Sequence, residues 1–197
     1  MPGGRPRTHD LDAALDRALE VFWRQGYEGT ALSDLTKATG MSRPSLYEAF
    51  GNKEQLFAKA LDRYAEGPGG FSAEALALPL IQEVVERLVY GAVDLTTGPG
   101  TPPGCLSVRT AQACGPGGEA ARKLAIARRE ISEAALRRRI EKALADGDLR
   151  SRRSPAYLAR FVMTLTDGIA VQASAGASRD DLIGVADAAM IAWTAIL

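Results

Sequence analysis

The chain has 197 residues, 46% of them hydrophobic, enough to bury a core without disulfide or metal staples. Its 24 Lys and Arg balance 24 Asp and Glu, which argues against holding nucleic acid by bulk charge alone but leaves room for a locally basic face. One histidine, His9, and two isolated cysteines, Cys105 and Cys114, argue against a His-rich metal site, a His-based triad and a disulfide framework.

The opening MPGGRPRTHD has no apolar core of a signal peptide, and no run of about 18 apolar residues occurs. The expectation is a soluble, cytoplasmic protein with no membrane partner. No cluster of His, Cys or carboxylates has catalytic spacing, so an enzyme is not expected, and neither is a cofactor or a metal.

The periodicity is helical almost throughout, and strand-like alternation is absent. Leu11, Leu15, Ala18, Leu19 and Phe22 step by four and three along one face of a first helix, which Gly26 stops. A second segment opens on Thr30, read as its capping residue, and closes on Gly40. A short helix follows from Ser42 to about Phe50. Asn52 then caps another, with Gln55 three residues on and Leu56, Phe57, Ala60, Leu61 and Tyr64 as its buried stripe.

Residues 67–73, GPGGFSA, read as a break, and the domain boundary is placed there. Pro79 suits the first turn of a long helix running to about Thr97. GPGTPPG at 98–104 is a rigid turn, and a shorter helix holds Cys105 to Cys114. A long helix spans about Glu119 to Ala145 and ends at Asp146–Gly147. Ser154–Pro155 opens the next, and Ser178 with Asp181 caps the last, which carries Leu182, Ala186, Ala189, Trp193 and Ile196 at helical spacing. The expected fold is all-α, with about nine helices.

The most informative stretch is Thr30 to Lys53. Two short helices flank Gly40–Met41. The glycine suits a left-handed stop, Ala38 and Thr39 are small where the helices cross, and Met41 plugs the angle. This is a helix-turn-helix pattern, in which the second helix enters the major groove by its N-terminal residues. Those are Ser42, Arg43, Pro44 and Ser45. Arg43 can fork onto a guanine, Ser45 can reach a base or a phosphate, and Pro44 can touch a thymine methyl. Tyr47 lies one turn on and can reach a phosphate. Lys53 and Thr30 stand at helix N-termini, where a phosphate can sit.

The stretch GYEGTALSDLTKATGMSRPSLYEAFGNKEQLFAKALDRY resembles the DNA-binding domain of tetracycline-repressor-like (TetR) regulators. The resemblance rests on Thr30 and on the run Leu46, Tyr47, Phe50, Lys53, Glu54, Leu56 and Phe57, and it covers residues 8 to 65. A Gly-Cys-Leu step like 104–106 also recurs in part of that family. The resemblance implies an N-terminal three-helix helix-turn-helix domain (residues 1–66) and a larger helical dimerisation and ligand domain (74–197). It also implies a homodimer on a palindromic double-stranded operator, released by a small-molecule effector.

One feature departs from a basic DNA-binding domain: residues 1–66 carry nine basic against ten acidic side chains, and Glu48 sits on the recognition helix. Base contacts and helix N-termini must then carry more of the binding, with Arg5 and Arg7 as an additional arm.

For the effector site, Leu88, Val89, Ala92, Val108, Gln112, Ile131, Phe161 and Thr164 are candidate walls for an apolar or amphipathic molecule. For the dimer interface, Leu165, Gly168, Gln172, Ala186, Ala189 and Trp193 on the last two helices are the candidates, with Trp193 as the anchor. Cys105 and Cys114 lie two and a half turns apart on one helix and face different ways, which disfavours a shared metal. Either could still serve a thiol- or metal-responsive regulator. The arginines at 128–129 and 137–139 read as a solvated, salt-bridged helix, with one of them turned inward onto an anionic ligand as a lesser option. A helical adaptor for protein contacts is the alternative from another class.

Overall fold

A computed structural model describes residues 8–112, 115 and 117–197, with side chains from Leu11 onward. Arg5, Arg7 and Cys114, and the side chain of His9, lie outside the described residues. The helices are α1 (Thr8–Gly29), α2 (Leu32–Thr39), α3 (Arg43–Phe50), α4 (Lys53–Glu66), α5 (Phe71–Leu76), α6 (Ile81–Thr97), α7 (Leu106–Gln112), α8 (Glu119–Asp146), α9 (Pro155–Ser174) and α10 (Arg179–Ile196). No strand occurs among the described residues.

Two apolar cores organise them. The first is built by α1, α2, α3 and α4 around Phe22, Phe57 and Tyr27, whose rings pack edge-on at 5.1 Å between Phe22 and Phe57 and between Tyr27 and Phe57. Leu106 and Ala121, from far along the chain, complete it. The second gathers the inner faces of α6, α8, α9 and α10.

The angle between α2 and α3 has local causes. Gly40 takes the left-handed conformation at φ 70°, and its N–H closes on the Thr36 carbonyl at 3.0 Å. The Met41 N–H donates to the Thr39 hydroxyl at 3.3 Å, while the methionine side chain packs on the first core. Ser42 caps α3 by accepting from the Ser45 N–H, with Pro44 in the first turn. Asn52 and Gln55 cap α4 reciprocally, at 2.8 and 2.9 Å. Asn52→Ala is expected to cost about 1 kcal/mol and to lower the melting temperature by roughly 2–4 °C, read by circular dichroism.

Three local expectations are corrected. Thr30 is not the cap of α2: the N-cap is Ala31, whose N–H donates to the Asp34 carboxylate at 2.9 Å. The chain breaks helical geometry at Gly26 (φ 73°, ψ 170°), and the buried Thr30 hydroxyl donates to the Gly26 carbonyl at 2.6 Å. Pro79 lies ahead of α6, not in its first turn, because Leu80 is extended and the Ile81 N–H is taken at 2.7 Å by Asp148, from beyond α8. The expected break at 67–73 contains a 3-10 turn at Pro68–Gly70 and the start of α5, which raises the count of α-helices from about nine to ten among the described residues.

α5 exists because Phe71 and Leu76 pack on the second core and Ala75 is buried in it. Tertiary contact thus sustains a six-residue helix that local propensity does not.

Candidate nucleic-acid interface

α3 presents its N-terminal turn outward. Ser42, Arg43, Pro44 and Glu48 are exposed, Ser45 is half-buried, and Tyr47 keeps 39% of its surface in solvent. Leu46 and Phe50 hold the opposite face in the first core. The Arg43 guanidinium lies 5.5 Å from the Tyr47 ring centroid, and its Nη2 donates to the Tyr47 hydroxyl at 3.4 Å. Arg43 and Tyr47 therefore form one ordered, exposed pair across a single helical turn.

Lys53 begins α4, but it is not a freely solvated lysine. Its ammonium sits 4.3 Å from the Tyr27 ring centroid. Burial pulls its pKa below the usual lysine value, against the raising influence of Glu28 and Asp34. The ammonium thus stands, positioned by the Tyr27 ring, at the N-terminus of α4. Thr30 cannot add its hydroxyl there, since that group is buried and committed to Gly26.

α1 fixes this unit from behind. The Arg17 Nη2 donates to the Thr39 carbonyl at 3.3 Å. Arg63 on α4 forks onto Asp16 at 2.7 and 3.0 Å, and that hydrogen bond holds the Asp16 carboxyl below its usual range.

Behind the helix-turn-helix unit is a cavity of about 330 Å3, bounded by α4, α5, α6, α7, α8 and α9. Of the candidate wall residues, Leu88, Ala92, Val108 and Ile131 line it. Val89, Gln112, Phe161 and Thr164 do not. Val89 is buried in the second core, Phe161 packs on that core, Gln112 is exposed, and Thr164 is exposed with its hydroxyl on the Arg160 carbonyl at 2.8 Å. On α9 the wall is instead Val162, Met163, Thr166, Asp167 and Ala170. Such a shift of a position or two around a helix is beyond apolar periodicity, because α9 is apolar on more than one side.

Sequence reasoning missed the polar links between this cavity and α1. Tyr64, on the wall, donates its hydroxyl to Cys105 Sγ at 3.3 Å, and Cys105 Sγ lies 3.2 Å from Ser107 Oγ. Burial raises the Tyr64 phenol well above the usual tyrosine value, so it stays protonated. Trp23 packs edge-on against Tyr64 at 4.9 Å and donates its indole N–H to the Gly104 carbonyl at 2.8 Å. Gly104 takes a φ of +88°, which other residues rarely adopt, and a Cβ there would force the Ser174 hydroxyl to turn away. Arg109 donates to the Trp23 and Arg24 carbonyls at 3.1 and 2.7 Å, close to the Gly26 break. The Gly-Cys-Leu step was the only local signal of this junction.

The dimer-face candidates divide. Gly168 and Gln172 are exposed and Leu165 is half-buried against the second core. Ala186, Ala189 and Trp193 belong to the interior of that core, Trp193 with 0% exposure, so they cannot meet a partner. The outward residues of α10 include Val185, Ala188 and Ile191, and Val171 of α9 is also exposed.

Among the described residues no group of His, Cys, Asp and Glu could hold a metal ion, and no helix is long and apolar enough to cross a membrane.

An exposed recognition helix on a rigid helix-turn-helix, backed by a helical domain with a cavity, defines a one-component DNA-binding regulator. Residues 14–60 match the family model "Bacterial regulatory proteins, tetR family". Along its length the chain is 34% identical to the HTH-type transcriptional repressor ComR of Escherichia coli (strain K12), covering 96% of this chain and 91% of that protein. It is 35% identical over 109 residues to the HTH-type regulator YezE of Bacillus subtilis (strain 168), covering 55% of this chain and 56% of YezE. A cysteine-substituted form of the TetR family regulator CifR, solved in complex with 26-bp double-strand operator DNA, is 40% identical with a TM-score of 0.89, covering 96% of this chain and all of that one. The chain belongs to the TetR family of transcriptional regulators and is a DNA-binding regulator, not an enzyme. Members of that family act as homodimers with small-molecule effectors.

Proposed function

We propose that the chain is a cytoplasmic repressor that binds a palindromic operator as a homodimer and leaves it when a small molecule fills the cavity beside α4. Residues 1–66 carry the DNA-binding surface, and 74–197 carry the effector site and the dimer face. α3 enters the major groove by its first turn. Arg43 forks onto a guanine and Tyr47 reaches a phosphate. Lys53 and the N-terminus of α4 hold a second phosphate, which fixes the docking register.

The observation that carries this reading is that one helix serves both sites. The N-terminal end of α4 bears Lys53, and its Leu61 and Tyr64 line the cavity. A molecule that moves Leu61 and Tyr64 moves Lys53 with them, and in a dimer it changes the separation of the two recognition helices, about 34–36 Å for adjacent half-sites. A differential affinity of a few kcal/mol between the two states is enough to empty an operator.

The dimer face in this reading is the outward stripe Gly168, Val171, Val185, Ala188 and Ile191. Small side chains there let helices of two protomers approach, and the apolar ones supply buried area.

Selection of genomic fragments by the purified full chain, followed by footprinting at stated salt, tests the function. A short palindromic footprint that disappears when a cavity-bound compound is added is the expected result. An unchanged footprint under saturation by every compound shown to bind the cavity would overturn the effector mechanism, and no footprint at low salt would overturn operator binding.

A further inference from the structure

Three charged side chains border the cavity among the described residues: Arg128, Arg129 and Asp167. Each is already matched. Arg129 forks onto Asp167, Nη1 to Oδ1 at 2.6 Å and Nη2 to Oδ2, joining α8 to α9 on the wall itself. Arg128 is paired with Asp62 of α4. The remaining polar groups on the wall include neutral ones, among them Tyr64, Cys105, Ser107 and Thr166, and most of the surface is apolar. Thr166 spends its hydroxyl proton on the Met163 carbonyl. The hydroxyls of Tyr64 and Ser107 remain grouped with the Cys105 thiol at one corner.

We infer that the effector is an uncharged, mostly apolar molecule with one small polar group, and that the Arg129–Asp167 pair is the specificity device that turns charged molecules away. This rests on reading the cavity as the effector site. A ligand carboxylate entering here meets no free cation. It must either lie beside Asp167 or displace it from Arg129, which strands a carboxylate in a partly desolvated wall. A ligand ammonium meets the converse obstacle in Arg129. A hydroxyl, carbonyl or ether oxygen asks for no such exchange. It needs one hydrogen bond, which the Tyr64–Cys105–Ser107 corner supplies, and its hydrocarbon gains the apolar wall. The inward-turned arginine is thus real, and it is occupied by its own chain rather than held open for an anion.

Three probes of matched skeleton test this on the full chain by titration calorimetry: 4-phenylbutan-1-ol, 4-phenylbutanoate and 4-phenylbutylamine. The alcohol is expected to bind at least about tenfold more tightly than either ion. Asp167→Asn keeps the shape and frees Arg129, and it should move the carboxylate-to-alcohol affinity ratio about tenfold or more toward the carboxylate. Arg129→Gln frees Asp167 and should move the ratio toward the amine, giving a second test should the first variant fold poorly. Carboxylate bound as tightly as alcohol by the unaltered protein would overturn the inference. So would an unchanged ratio in both folded variants, or no binding of the alcohol at millimolar concentration. Operator release is scored separately, by anisotropy of labelled operator: alcohol that binds without release leaves the ligand class standing and removes the effector reading.

Discussion

Arg43→Ala is expected to weaken operator binding about 30-fold or more, because the dimer loses two base-edge forks of about 1–3 kcal/mol each, and to relax the preference at one base pair of each half-site. Tyr47→Ala should weaken binding across all sequences, because a phosphate contact carries no sequence information. The two losses should not add. Arg43 donates to the Tyr47 hydroxyl at 3.4 Å and stacks on its ring, so each side chain orients the other and a double-mutant cycle should show coupling. Neither substitution should disturb folding, since both side chains are exposed. The charge balance sharpens the test. With nine basic and ten acidic residues across positions 1–66, no bulk field can compensate for a lost contact. Fluorescence anisotropy at two salt concentrations, with operator and scrambled duplex, reads both effects. Equal affinity of Arg43→Ala and the unaltered protein for operator would remove α3 from the groove.

The parts of this architecture that were legible in the sequence are those whose cause is local. Gly40 between two short helices, the Asn52–Gln55 pair and the Ser178–Asp181 pair each bring both partners within four residues, and each forms as read. The errors arise where the partner is remote. Ile81 takes its cap from Asp148, so Pro79 misled. Thr30 is the local exception: it turns back four residues to a carbonyl freed by the Gly26 break, so a residue type that usually caps does something else. α5 has no strong local signal and is held by the second core. The junction of Trp23, Tyr64, Gly104 and Arg109 spans more than 80 residues of sequence, and no pattern of spacing announces it.

The cavity was half legible for a related reason. Periodicity separates a buried from an exposed face, but it does not separate a face packed on the core from one that borders an empty space. Val89 and Leu88 are neighbours on α6, and only Leu88 touches the cavity.

The same ambiguity on α10 leads to the second large effect. Trp193 reads as an anchor for a partner helix, yet it is wholly buried within its own chain, with an indole N–H that meets no acceptor among the described residues. Trp193→Ala should therefore cost about 3–5 kcal/mol of stability through the cavity it leaves, while Trp193→Phe should cost much less, because it keeps most of the volume and removes an unpaired donor. Ile191 is 74% exposed on the other side of the same helix and should behave in the opposite way. Ile191→Glu should leave the melting temperature of the protomer fold nearly unchanged but shift the dimer toward monomer, because a carboxylate within a desolvated apolar face is costly. Operator affinity should fall with it, since one protomer brings only one recognition helix to a palindrome. Sedimentation velocity and thermal melting of the two variants side by side separate these outcomes. A dimer that survives Ile191→Glu would move the interface off this stripe. A Trp193→Ala protein that melts with the unaltered one would mean that α10 does not pack as described.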